Sequence, residues 1–237
     1  MAHKKLKRFA EIATYPNVFQ YPENIKGKWH TVFENQNPVV LELACGKGEY
    51  TIALAEKYPG QNFIGVDLKG NRLWKGATYA LKKNLKNAVF LRTQIEMIAG
   101  YFDKDEVDEI WLTFPDPQLQ ISRAKKRLTF PRFLREYRKI LKKDGVIHLK
   151  TDSPDLYNFT KEVIGWYGLN VASDIADVYA QTKIPEDLLI KTYYESLDIS
   201  KSNKIFYLKF SLPENLKDDD KEFYRYLKEK YATYEKA

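Results

Sequence analysis

Five short apolar runs alternate with stretches of helical spacing, and this alternation restricts the chain's folding more than any other feature. "PVVLEL" (38–43), "NFIGVD" (62–67), "AVFLR" (88–92), "VDEIWLTF" (107–114) and "GVIHLK" (145–150) read as strands. Amphipathic patterns near 48–58, 70–86 and 131–143 read as helices. Alternation of this kind implies a parallel sheet covered by helices on both faces. Two later runs, "LNVASDI" (169–175) and "KIFYLKF" (204–210), predict an antiparallel pair at one sheet edge. The expected fold is therefore α/β, with a seven-stranded, mostly parallel sheet and one antiparallel edge strand. Residues 1–35 read as a basic arm, 36–212 as the main domain and 213–237 as a charged, tyrosine-bearing helix.

With 237 residues, 44% of them hydrophobic, the chain can bury the core of one such domain. A single cysteine, Cys45, excludes a disulfide framework and points to a reducing compartment, the cytoplasm. "MAHKKLKRFAEIA" lacks the apolar stretch of a signal peptide, and no run is long enough to span a bilayer. The net charge of +7 is unevenly placed: between Gln120 and Lys143 ten Lys or Arg face one acid, Glu136. Arg132, Arg135, Arg138, Lys139 and Lys142 share one side of the expected helix there, and helix 70–86 bears Arg72, Lys75, Lys82, Lys83 and Lys86. Such concentration suggests a polyanionic partner, although a charge run alone also fits a solvated helix face.

"LELACGKGEY" (41–50) joins the first of these strands to a helix, and Asp67 ends the next strand, 21 residues after Gly46. Glycines that let backbone approach a ligand, followed by an acid for ribose hydroxyls, suit a nucleoside cofactor. The same glycines also fit a tight turn with no ligand. Glu42 discriminates between cofactors. A carboxylate at this strand end would repel a dinucleotide's diphosphate and attract the ammonium and sulfonium of S-adenosylmethionine. The third glycine of the dinucleotide pattern is also absent, with Thr51 in that region. Cys45 reads as a small buried side chain of this loop rather than a nucleophile.

In "LTFPDPQLQISRAKKRL" (112–128) the fourth of these strands ends at Phe114, and Pro115 and Pro117 stiffen the chain on either side of Asp116. Ligands of open α/β sheets bind beyond the carboxyl ends of the strands, so Asp116 should face that crevice. Asp152, ending the fifth strand in "KTDSPD", should face it too.

"KGKW" (26–29), "LELACGKG" (41–48), "IGVDLK" (64–69), "FPDP" (114–117), "KRLTFPRFL" (126–134), "HLKTD" (148–152) and "TYYE" (192–195) together resemble the bacterial tRNA guanine-N7 methyltransferases. The resemblance implies a Rossmann-like class I methyltransferase fold and methylation of guanine at position 46, in the tRNA variable loop. It implies S-adenosylmethionine contacts at Glu42, Gly46, Asp67, Gln94 and Asp116, with Asp116 as the active-site acid. Asp152, Thr192 and Glu195 would contact the target nucleotide. No metal is expected, and His3, His30 and His148 need no catalytic role. The chain departs from the family pattern at Ala44, Gln94, Gln118 and Gln120, and Arg123 stands where a histidine is usual. Arg123 is the candidate to replace the substrate-contacting lysine absent at Gln120. Three alternatives stay open: a tRNA-binding protein with degraded catalysis, a methyltransferase with another substrate and, more remotely, an NAD enzyme. Monomer and homodimer are equally compatible with the sequence.

Overall fold

A computed structural model describes residues 2–193, 195–197 and 201–234. The N-terminal segment supplies α1 (Ala2–Ile12), β1 (Val18–Gln20) and α2 (Trp29–Phe33). The alternating region follows as β2 (Val39–Leu43), α3 (Glu49–Lys57), β3 (Asn62–Asp67), α4 (Gly70–Lys82), β4 (Ala88–Arg92), β5 (Val107–Thr113), α5 (Pro131–Arg138), β6 (Leu141–Thr151) and α6 (Pro154–Tyr167). β7 (Asn170–Ile175), β8 (Phe206–Ser211) and α7 (Asp220–Tyr234) complete the described chain.

The strands form one sheet in the order β1-β4-β3-β2-β5-β6-β8-β7. β8 runs antiparallel to both neighbours, and all other pairings are parallel. The expected antiparallel pair is thus present at one edge. The sheet nevertheless has eight strands rather than seven. The additional one, β1, pairs through Val18 and Phe90 at the opposite edge. Its three residues are half-buried, too short a run to show a period-two pattern.

Alternate strand residues point into two layers. Leu41, Ile64, Leu112 and Leu149 pack with α5, α6 and α7, whereas Val40, Phe63, Phe90 and Trp111 pack with α1, α3 and α4. α7 docks through the fully buried Phe223 and Leu227. β2 is followed by a helix on one face and β5 by a helix on the other. The order therefore reverses between these strands and opens a crevice at their carboxyl ends.

The helix expected over 131–143 ends at Arg138. Leu141 continues the spacing of Leu134 and Tyr137, but it begins β6 by pairing with Val107. The register then shifts, and pairing resumes between Glu109 and Val146. Burial of Leu141 alone cannot distinguish helix from strand, because both place it against the sheet.

Candidate active site

A cavity of about 600 Å³ occupies the crevice, with Glu42, Asp67, Thr113, Asp116, Asp152 and Thr192 in its wall. The turn after β2 has three left-handed residues, Ala44 (φ 59°), Gly46 (φ 57°) and Gly48 (φ 69°). A Cβ on Gly48 would sit 2.5 Å from the Phe90 ring, so close packing also requires glycine there. Asp67 braces the turn: its carboxylate accepts the Gly46 N–H at 3.0 Å and the Lys69 N–H at 2.7 Å.

Glu42 is buried in the cavity wall. It accepts the Thr51 N–H (2.8 Å) and the hydroxyls of Thr51 and Thr113, both at 2.5 Å. Burial raises its carboxyl to about 7 despite the lowering effect of these bonds. Among the described residues no cation pairs with it. A buried carboxylate on a cavity wall, lacking a protein cation, suits a positively charged ligand. This donor set fits the ammonium end of S-adenosylmethionine. The Cys45 thiol lies deep in the same loop, and burial pushes it well above its ordinary range, so it is held protonated.

The segment after β5 is strained where it presents Asp116. Phe114 (φ 48°) and Gln118 (φ 46°) both adopt the left-handed region, and Phe114 does so before a proline. Asp116 is exposed to the cavity and accepts the Gln118 N–H at 3.0 Å. Arg127 holds this segment from behind. Its guanidinium donates to the carbonyls of Pro117 (2.9 Å), Gln118 (3.1 Å) and Leu119 (3.3 Å) and lies 4.4 Å from the centre of the Phe159 ring. Arg127 is only 3% exposed, so it is not available to RNA phosphates.

A strap formed by residues 176–193 crosses α3. Asp187 accepts the Lys57 ammonium and the Tyr58 hydroxyl, both at 2.7 Å, while its carbonyl accepts the Tyr50 hydroxyl. Glu49 takes the Tyr193 N–H at 2.7 Å. These anchors place Thr192 in the cavity wall, where its hydroxyl accepts the Glu195 N–H. Glu195 itself is outside that wall: it pairs with Lys150 and accepts the Tyr179 hydroxyl.

A family model described as "putative methyltransferase" matches residues 36–208. The tRNA (guanine-N(7)-)-methyltransferase of Bacteroides fragilis is 48% identical over 90% of this chain and 88% of its own length. That of Christiangramia forsetii is 44% identical over 88% of this chain and 97% of its own. The chain belongs to the tRNA (guanine-N7)-methyltransferase family. In solved structures the fold resembles that of the 16S rRNA methyltransferase KamB, with a TM-score of 0.60 over 78% of this chain and 93% of that one, at 14% identity.

In this methyltransferase, the structure gathers Glu42, Asp67, Asp116, Asp152 and Thr192 around one cavity, with Gly46 in the turn beside it. Gln94 lies exposed beyond β4, and Arg123 lies exposed on a 3₁₀ turn (Ile121–Lys126); neither lines the cavity wall. His148 lies in the core, stacked on Trp111 at 3.9 Å, with Nδ1 2.8 Å from the Tyr207 hydroxyl. The side chain of His3 is outside the described residues, and His30 is exposed. Sequence reasoning missed Thr113 and Lys47 at the cavity and Lys150 behind it, and it read Arg72 and Arg127 only as members of basic runs. Only Thr113 carried a signal, as the last residue of a strand beside the one bearing Glu42.

The cations of α5 and of the start of β6, expected to share one side, do not form an open positive face. Arg132 lies 3.6 Å from Glu96, Arg138 3.7 Å from Asp105, Lys139 2.6 Å from Glu136 and Lys142 2.6 Å from Asp108. Arg135 is bound to Asp218 and Asp220 at the start of α7.

Proposed function

We propose that this protein transfers a methyl group from S-adenosylmethionine to N7 of guanine at position 46 in the variable loop of tRNA, in the cytoplasm. The single observation that supports this best is the meeting of the uncompensated Glu42 carboxylate and the strained Asp116 loop in one cavity. In this proposal residues 36–212 are the catalytic unit, and the segments 1–35 and 213–237 are packed into it through β1, Trp29 and Phe223.

When bound, S-adenosylmethionine supplies an electrophilic methyl group. Glu42 holds the ligand's ammonium, and Asp67 accepts ribose hydroxyls with the lone pairs left free by its two backbone bonds. The glycine turn at Gly46 admits the ligand close to the backbone, and Gln94, exposed beyond β4, would meet its base outside the cavity wall. Guanine N7 has an in-plane lone pair and no proton, so no general base is needed and catalysis rests on positioning and electrostatics. Asp116 also borders the cofactor. It accepts hydrogen bonds from the guanine N1–H and exocyclic amine, and its charge favours the positive charge developing on the ring. Asp152 and Thr192 position the nucleotide, with Glu195 acting through Thr192, which it helps to hold, while Arg123, Lys125 and Lys126 approach its phosphates.

The test is methyl transfer from labelled S-adenosylmethionine to unmodified tRNA, with mapping of the methylated base. Wild-type protein should place label at N7 of guanine 46. Asp116→Ala should lower kcat severely while tRNA affinity stays near normal, and Asp116→Asn, which keeps shape without charge, should fall between. Label at another base, or none, refutes the proposal.

A further inference from the structure

The chain has two strongly basic segments, and their charges have different fates. The cations of α5 are neutralised by nearby carboxylates. α4 and its C-terminal turn behave differently: residues 70–86 contain Arg72, Lys75, Lys82, Lys83 and Lys86 and no acid. Lys75 is bound to Glu49 at 3.1 Å. Lys82, Lys83 and Lys86 are exposed, and among the described residues none has a carboxylate within 4.0 Å.

A second observation points the same way. A groove of about 450 Å³ lies between α3 and α4, with Trp74 and Tyr79 beside Lys47, Lys75 and Lys82. Lys47 and Glu49 line both this groove and the active-site cavity, so the two adjoin. Tyr79 is 40% exposed, with one edge fixed by its hydroxyl bond to Glu56 at 2.9 Å. Cations interleaved with rings, Tyr79 exposed and Trp74 half-buried with Arg8 4.6 Å over one face, suit a polynucleotide, whose phosphates meet the cations and whose bases stack on the open ring.

We infer that α4 and the α3/α4 groove, not α5, form the surface along which the RNA leaves the cavity. α4 starts at the cavity with Arg72 and runs back about 20 Å at 1.5 Å per residue, so the strand would pass Lys47, enter the groove and reach Lys82, Lys83 and Lys86. The acids of this face are Glu49 and Glu56 in the groove and Glu11 on α1, which takes the Trp74 N–H. They orient Lys75, Tyr79 and Trp74 and leave the three terminal lysines uncompensated. This inference rests on the tRNA methylation proposed above.

The experiment compares the triple variant Lys82→Gln/Lys83→Gln/Lys86→Gln with the α5 variant Arg132→Gln/Lys139→Gln, using an unmodified tRNA transcript. The α4 variant should raise KM for tRNA about tenfold and reduce the log–log salt slope of binding by about two, because each lost phosphate contact removes roughly 0.7–0.9. Its affinity for S-adenosylmethionine should match wild type, which verifies the fold. The α5 variant should keep the wild-type slope. A wild-type slope in the α4 variant, with methylation of tRNA intact, overturns this inference alone. An unchanged slope with altered sedimentation would make the face a contact between copies, which also overturns it. A wild type that neither binds nor methylates tRNA removes both readings.

Discussion

Lys150 and Glu195 form an ion pair sealed from solvent, with Nζ 2.9 Å from Oε2. Lys150 lies in β6 and is fully buried; its ammonium also donates to the Ile190 carbonyl at 2.8 Å. The pair thus ties the end of the strap to the sheet and places Thr192 beside the cavity. Burial lowers the Lys150 pKa, and Glu195 works against that shift.

Removing one partner should therefore damage stability before it damages recognition. Glu195→Gln leaves a buried ammonium without its counter-charge and should cost about 3–5 kcal/mol. Lys150→Met/Glu195→Gln should recover much of that loss, because no uncompensated charge remains. Urea unfolding of the two variants provides the measurement. Near-wild-type stability in Glu195→Gln would show that the pair does not hold the strap.

Glu42 should make both stability and cofactor binding depend on pH. Its carboxyl titrates near 7 in the folded state and near 4.5 in the unfolded chain. Between those values the folded state binds more protons, so stability falls as pH rises across the window, by about 3 kcal/mol in all. Binding of a cation needs the ionised form, so affinity for S-adenosylmethionine should weaken as pH falls below 7. Glu42→Gln should flatten the stability profile between pH 4.5 and 7 and bind the cofactor weakly at every pH. Calorimetry and denaturant melts across that range will decide. A variant whose pH profile matches wild type would remove Glu42 as the titrating group.

Arg127 illustrates the limits of what the sequence discloses. The strands, the glycine turn and the acids at strand ends were legible because burial and turn chemistry impose periods and residue types on the chain. Asp116 and Asp152 were found through their positions at the ends of β5 and β6. Arg127 was not separable from Lys125 and Lys126, because burial among carbonyls and a phenyl ring leaves no local pattern. The same holds for the cations of α5, whose partners Glu96, Asp105 and Asp218 are distant in sequence. β1 escaped notice because three residues carry too little periodicity.

Arg127 should act through the loop it holds. Arg127→Met removes the donors to the carbonyls of 117–119 and should lower kcat at saturating tRNA by tenfold or more. Affinity for S-adenosylmethionine should stay within twofold. Arg127→Lys should not rescue kcat, since an ammonium cannot span three carbonyls as a planar fork does. Wild-type kcat in Arg127→Met would mean that the two prolines and the strained flanks suffice to place Asp116.

Ala44 occupies a left-handed position, φ 59°, in the cavity turn where related enzymes are expected to have glycine. A Cβ there costs roughly 1–2 kcal/mol against the following carbonyl. Glycine relieves that strain but adds conformational freedom to the unfolded chain, worth roughly 0.5–1 kcal/mol in the other direction. Relief should win, and Ala44→Gly should stabilise the protein by up to about 1 kcal/mol. For a domain of this size that corresponds to a rise of about 2–4 °C in Tm. Because the turn also lines the cavity, the added freedom should leave cofactor affinity unchanged or slightly weaker. A fall in Tm on Ala44→Gly would show that the alanine methyl makes packing contacts worth more than its backbone strain.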